Sequence, residues 1–528
     1  MVEQDEAGHS PTEPLFLGID LGTSSIKAVL TDGTGRPLRQ AVAAYPVESP
    51  HPAWAETDPE LWWSAITDAV GEVSSAGLGP IRGIGLSGQM HGVVATDDRG
   101  RALRPAMLWA DFRATEQIGS YGRLPAALRA RLANPLVPGM AGPMLAWLAA
   151  NEPTTFGRTR WALQPKDWVR ARLTGRIAAE PSDASATLLY DVSGDRWDVE
   201  VVGALGLDPE LLPTLHPHSG ATAGTLSAST AEQLGLPPGI PVAAGAADAA
   251  AALLGSGLTA DTDVQVTIGT GVQIVVPAGV ATIPSDPDAI VTHLYRTATR
   301  RGWYRMAAVQ SGGLTLSWVL RMLGASWAEL YASATTTPRL DDPIFLPHLN
   351  GERTPYLDPT LRGAWTGLAL RHDRVTLLRA TLEGVAFTIA EALDNLPGVE
   401  GRAKCLRLAG GGSTDPGWRQ MLADILGYPL HAVQASGASG RGAALLGACA
   451  AGALDEPSLP RLITPDSRLV ADPSPDHSDL YAERRLASRQ VLVALRPSAP
   501  PQPAAIQQRS SDMALPPHPV TAEGTRHP

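Results

Sequence analysis

The feature that most constrains the fold is a strand–glycine turn–strand pattern that occurs once in each half of the chain. In the first half, Phe16 to Ile19 and Ile26 to Thr31 flank Gly22-Thr23-Ser24. In the second, Val264 to Ile268 and Val272 to Val276 flank Gly269-Thr270-Gly271. Short β-rich runs separated by glycine turns predict paired antiparallel strands. Helical spacing follows: Pro59 to Val73 places Leu61, Trp62, Ala65, Ile66 and Ala69 on one side, and Val375 to Asn395 and Trp418 to Leu426 read as further buried helices. At 528 residues the chain exceeds what one core supports. The pattern therefore predicts two related α/β domains, 15–257 and 258–490, with the boundary between 255 and 263. A polar leader over 1–14 and a proline-rich tail over 496–528 are expected to stay solvated.

Composition excludes several classes of function. The chain has 42 basic and 53 acidic residues, a net charge of -11, which argues against a nucleic-acid partner. Its start, Met-Val-Glu-Gln-Asp-Glu-Ala, is acidic where a secretory signal would be basic and then apolar. The longest small-residue run, Val242 to Leu258, is interrupted by Asp248 and by glycines, so no membrane span is expected. Two distant cysteines, Cys405 and Cys449, form no disulfide framework; they read as buried structural thiols in a cytoplasmic protein. A homodimer is compatible with these numbers.

The glycine turns carry a chemical reading as well as a conformational one. A tight turn can aim several backbone N–H groups at phosphate oxygens, and glycine permits the close approach. Asp20 stands just before the first turn, where a carboxylate can hold Mg²⁺. Gly22, Thr23 and Ser24 on one side and Gly269 and Thr270 on the other would cradle the phosphates; taken singly, each turn reads equally as a plain hairpin. Asp248 lies in Gly245-Ala246-Ala247-Asp248-Ala249-Ala250, whose small neighbours admit ligands to the carboxylate. The same position reads as a helix N-cap, and the two roles are compatible. Gly83-Ile84-Gly85-Leu86-Ser87-Gly88 matches the dinucleotide pattern G-x-G-x-x-G, but Val93-Val94-Ala95 follows instead of a helix. No G-x-x-x-x-G-K-[ST] loop occurs, so ATP cannot be held by a P-loop.

Between the glycine motifs the chain offers residues that could line a small polar pocket beside an apolar wall. Gln89 and His91 donate and accept, and Met90 offers a soft contact to carbon. Trp109 adds a platform and Asp111 a carboxylate; locally they read as well as a core tryptophan and an ion pair with Arg113.

These motifs, from Gly18-Ile19-Asp20-Leu21-Gly22-Thr23 through Gly85-Leu86-Ser87-Gly88-Gln89-Met90-His91-Gly92 to Gly245–Ala250, resemble the FGGY family of carbohydrate kinases over roughly residues 15 to 490. The resemblance implies two ribonuclease-H-like domains of the actin and hexokinase ATPase type, with Mg-ATP and a sugar in the cleft between them. It implies Asp248 as the base, Asp20 as the metal organiser, and Gln89, Met90, His91, Trp109 and Asp111 as sugar contacts. It adds Gly411 and Asp415, in Gly410-Gly411-Gly412-Ser413-Thr414-Asp415, and Gly313 and Ser317 as nucleotide contacts. Gln-Met-His-Gly points to D-xylulose as the sugar, with ribulose, gluconate or another polyol as the alternative and a non-catalytic ATP switch as the remote one. Glu352 and Arg353 are expected to pair. Ala249, Phe112 and Met144 depart from the family's usual asparagine, glycine and lysine, which leaves the identity of the sugar open.

Overall fold

The structure is a computed structural model that describes residues 12–75, 77–258, 260, 262–433, 437–463 and 467–496. The expected leader up to residue 11 and the tail beyond 496 lie outside the described residues. In the first half, β1 (Leu15–Leu21), β2 (Ser25–Thr31) and β3 (Pro37–Ala44) form a meander, followed by α1 (Pro59–Ser74) and β4 (Ile81–Gly88). Further on come α2 (Pro165–Thr174), β5 (Thr222–Thr225), β6 (Pro241–Ala243), β7 (Ala246–Ala247) and α3 (Asp248–Gly255). The strands run in the order β5-β6-β4-β1-β2-β3, with β7 also paired to β4. Neighbours β1 and β2 are antiparallel, and β1 and β4 parallel.

The second half repeats this plan. Its strands and helices are β8 (Gln265–Ile268), β9 (Val272–Ala278), β10 (His293–Arg296), β11 (Trp303–Val309), α4 (Gly313–Leu323) and α5 (Trp327–Ser333). They continue with α6 (Arg374–Asp394), β12 (Leu406–Ala409), α7 (Pro416–Leu426), β13 (Leu430–Val433), α8 (Ala438–Ala450), β14 (Ser467–Ala471) and α9 (Pro475–Leu495). The sheet order is β10-β11-β9-β8-β12-β13-β14. From β11 to β13 the strand directions match those from β3 to β6: two antiparallel pairings and then two parallel ones. Both predicted strand–turn–strand units are therefore the central pairs of equivalent sheets, β1–β2 and β8–β9.

The two faces of β1 explain what the sheet carries. Leu15, Leu17, Ile19 and Leu21 pack with Trp62, Ile66, Val70 and Val73 of α1, as the period-2 alternation of a strand and the 3.6 period of a helix require. The opposite face presents Phe16, Gly18 and Asp20, and on β4 it presents Gly83, Gly85 and Ser87. Helix α8 lies on that face. A β-carbon on Gly85 would stand 1.7 Å from the Ala443 carbonyl oxygen, and one on Gly18 would stand 1.9 Å from that of Gly440. The glycines of the G-x-G-x-x-G stretch thus let a helix rest on bare strand backbone. One cluster of apolar side chains fills each half, and a third, containing Leu253, Leu254, Tyr295, Tyr304, Leu445 and Leu446, joins them around α3 and α8. Cys405 and Cys449 are unpaired and only partly buried, against the expectation of full burial; burial pushes the Cys449 thiol up to about 12. Met144 is fully buried among apolar side chains, so no charge is placed where the family's lysine would stand. No described helix is long and apolar enough to cross a membrane.

Candidate active site

Strand β1 places the buried Asp20 one residue before its end. Ser87 Oγ, from the parallel neighbour β4, donates to Asp20 Oδ1 at 2.7 Å. The second carboxylate oxygen has no donor among the described residues. Burial, against the pull of Ser87 and Lys27, raises the Asp20 pKa. The turn that follows is braced on all sides. Gly22 N donates to Ser25 O at 3.0 Å, and the Gly22 carbonyl accepts from Gln89 Nε2 at 3.3 Å and from the Tyr45 hydroxyl. Trp109 Nε1 donates to Thr23 Oγ1 at 2.9 Å, which leaves the threonine proton free for a ligand, and Ser24 is exposed. Gln89 and Trp109 therefore hold the first glycine turn in place, a function their sequence positions did not announce.

Asp248 is the first residue of α3, and its own Oδ1 accepts the Ala249 N–H at 2.6 Å. It is not the N-cap, which is Ala247. Burial first, and then the negative charge of Asp20, push its carboxyl up to about 7. A carboxyl that loses its proton near neutrality is suited to general-base work. Its position is fixed from below by a buried network. The Ala247 amide donates to Ser182 Oγ at 3.0 Å, and that hydroxyl donates to Glu180 Oε1 at 2.7 Å. Ser219 Oγ donates to Glu180 Oε2 at 2.7 Å, and Arg170 Nη1 donates to the Ala244 carbonyl at 2.6 Å. Lys166, fully buried, pairs with Asp167 at 2.5 Å and with Glu180 and Asp183 at 3.4 Å each. Burial alone would depress the Lys166 ammonium; these carboxylates raise it instead. Burial raises Asp183 well above the carboxylate range.

Met90 and His91 face the second half. The Tyr304 hydroxyl donates to Met90 Sδ at 3.7 Å, and the His91 ring lies 5.7 Å from Tyr295 and 6.4 Å from His293. His91, at φ 72°, places Nδ1 2.7 Å from the Ala186 carbonyl. Nδ1 therefore carries the proton and Nε2 keeps its lone pair. Burial pushes this imidazole down to about 4, so it is neutral at physiological pH.

A second cleft, of about 470 Å³, opens beside the other glycine turn. Gly269, Thr270, Gly313, Ser317 and Gly411 all line it. The Gly313 amide is already spent on the Gly269 carbonyl at 2.9 Å, and Ser317 Oγ donates back to Gly313 O at 2.8 Å. The same cleft is lined by Leu314, Gly412, Thr414 and a stacked pair, Trp327 and Tyr331, with centroids 5.7 Å apart. Sequence reading missed this aromatic pair because an i, i+4 aromatic spacing on a short helix is indistinguishable from core packing.

Three expectations are corrected. Asp111 is fully buried: Oδ1 accepts the Arg113 amide at 2.9 Å, Oδ2 accepts the Ala55 amide at 2.8 Å, and the Arg113 side chain forks over both oxygens. It has no oxygen left for a sugar. Asp415 does not line the cleft; it caps α7 by accepting the Trp418 amide at 3.0 Å. Glu352 makes no ion pair with the Arg353 guanidinium, though Glu352 Oε1 accepts the Arg353 amide at 2.9 Å. Its carboxylate accepts from Ser311 Oγ at 2.5 Å and from Gln310 N at 2.6 Å, and it lies 3.2 Å from His348. Among the described residues no group of three or more metal-ligating side chains occurs.

Comparison with known proteins agrees with this geometry. Residues 15–255 match the FGGY carbohydrate kinase N-terminal domain, and 264–451 match the C-terminal domain. The chain belongs to the FGGY family of carbohydrate kinases. It is similar to the xylulose kinase of Klebsiella pneumoniae, 36% identical over 79% of this chain and 86% of that protein. It is also similar to the xylulose kinase of Escherichia coli, 35% identical over 79% of this chain and 86% of that protein. Among solved structures, a xyloylose kinase from Brucella ovis superposes with a TM-score of 0.85 at 34% identity, covering 91% of this chain and 99% of that one. The chain is thus a two-domain carbohydrate kinase with ATP as the phosphoryl donor. Helix α9 lies beyond the matched C-terminal region; it is tied in by Arg484, whose buried guanidinium forks onto Glu383 of α6.

Proposed function

We propose that this kinase transfers the γ-phosphoryl group of ATP to D-xylulose, giving ADP and D-xylulose 5-phosphate. The observation that carries the mechanism is Asp248, isolated at the start of α3, opposite Asp20 and tuned to lose its proton near neutrality. Asp248 would take the proton of the attacking hydroxyl as the oxygen bonds to phosphorus and ADP departs. The named relatives and the Gln89-Met90-His91 loop support the choice of sugar.

The nucleotide would lie in the cleft of Gly269, Thr270, Gly411 and Ser317, with the purine against Trp327 and Tyr331. Asp20, which keeps an open oxygen and whose charge raises the Asp248 pKa, suits a divalent cation shared with phosphate oxygens. Asp20 would hold Mg²⁺, with Asp248 facing it. Bound there, the cation would neutralise phosphate charge and align the γ-phosphate. His91 Nε2 would accept a sugar hydroxyl, and Met90 would cover carbon. Gln89, Trp109 and Tyr45 would keep the phosphate turn in register.

The test is ADP release across ketoses, aldonates and polyols, for the wild type and Asp248→Asn. Release stimulated by D-xylulose and abolished in the variant, with nucleotide binding retained, is the expected result. Full turnover by Asp248→Asn would remove the base assignment. Stimulation by another sugar alone would keep the chemistry and change the substrate, an outcome that Ala249 and the exposed Phe112 make worth including.

A further inference from the structure

The Arg353 guanidinium forms no direct ion pair among the described residues, although the Glu352 carboxylate acts on its charge through space. Glu352 itself is committed to Ser311, Gln310 and His348. Instead the guanidinium reaches across the cleft to the first domain. It lies 5.7 Å from the Trp109 ring and 5.9 Å from that of Phe112. Burial lowers its pKa, and its charge acts on His91, His293 and Tyr295. Both imidazoles are held neutral there, so none of the three supplies a counter-charge. The Arg353 side chain donates no hydrogen bond among the described residues, so its N–H donors are free for a ligand. Arg353 is only partly buried, so the acceptor of a ligand can reach those donors.

The neighbouring imidazole has the opposite hydrogen-bonding character. With Nδ1–H bound to Ala186 O, His91 Nε2 can only accept, and Arg353 can only donate. Resting on the sugar-kinase reading above, we propose that Arg353 and His91 together recognise the hydroxymethyl-ketone end of the sugar. The C1 hydroxyl donates to His91 Nε2, and the C2 carbonyl accepts from Arg353. A carbonyl oxygen is an acceptor only, so a donor-only group satisfies it fully. The alditol puts a hydroxyl on tetrahedral carbon at that place and moves its oxygen out of the carbonyl plane. Arg353 is thus the residue by which the second domain distinguishes a ketose from its alditol.

The experiment compares kcat/KM for D-xylulose and for xylitol, its C2-reduced form, in the wild type, Arg353→Met and Arg353→Lys. In Arg353→Met, turnover of the ketose should fall about 10- to 100-fold, the range for loss of a charged hydrogen bond. Turnover of the alditol should change far less, so the ketose preference collapses, and Arg353→Lys should restore part of it. KM for ATP and the rise in melting temperature on adding ATP should stay at wild-type values, which shows that the variant is folded. An equal fall for both sugars, or an unchanged preference, overturns the assignment. If the wild type prefers a different ketose, the substrate reading fails alone, and the same comparison is made with that ketose and its alditol. If its best substrate is no ketose, this inference fails with it.

Discussion

Asp248 owes its chemistry to two neighbours and to the absence of a third. No basic side chain offsets it, so burial and Asp20 together hold its carboxyl at about 7. The sign of the consequence follows: below that pH the group is protonated and cannot accept the sugar proton, and above it the group is ionised and competent. For the free enzyme, log kcat/KM for the sugar should therefore rise with unit slope below about pH 7 and level off above it. A profile flat from pH 5 to 8 would place proton acceptance elsewhere. Asp20, Asp248 and His91 could be singled out from the sequence because each stands in a short motif whose neighbours are small or turn-forming. Asp111, Asp415 and Arg353 were misread for one shared reason. The availability of a carboxylate or guanidinium depends on what fills its valences: Arg113 and the distant Ala55 occupy Asp111, the Trp418 amide takes Asp415, and Trp109 and Phe112 of the other domain lie beside Arg353.

At the scale of elements, the four strands around the glycine turns and helices α1, α6 and α7 were legible to within two residues, because the period-2 runs around the turns and the apolar stripe of α1 are unambiguous. The docking of α8 onto β1 and β4 was not. Its signature, glycines alternating along a strand, was read only as a failed dinucleotide motif. The structure gives those glycines a packing purpose that a single substitution can test. Gly85→Ala would put a methyl group 1.7 Å from the Ala443 carbonyl, against helix backbone that cannot turn aside as a side chain could. Such overpacking typically costs about 1–3 kcal/mol. Chemical denaturation should show a loss of that size for Gly85→Ala. Gly71→Ala, where the added atom meets nothing, should show none. Equal stability of the two variants would mean that α8 does not lie where the strand glycines place it.

The whole molecule is two copies of one sheet plan joined through helices α3 and α8, and the catalytic pair depends on how those helices cross. Helix α3 begins with Asp248; α8 backs the strands that end at Asp20 and Ser87. The helices touch through glycine: a β-carbon on Gly442 would stand 2.0 Å from Ala251 O, and one on Gly255 would stand 2.0 Å from Ala438 O. The crossing therefore sets the distance between the two carboxylates. Gly442→Ala should part the helices, draw Asp248 away from Asp20 and weaken the repulsion that contributes to its raised pKa. Two readings should change together. The midpoint of the pH–rate profile should move below 7, though burial, the larger cause, keeps it above an ordinary carboxylate. At its plateau kcat should fall, since about 1 Å of misplacement at a reacting centre can cost on the order of a hundredfold. The KM values for sugar and ATP should move little, because neither cleft includes the crossing point. A fall in stability with kcat and midpoint both unchanged would show that the crossing holds the domains together without setting the geometry of the base.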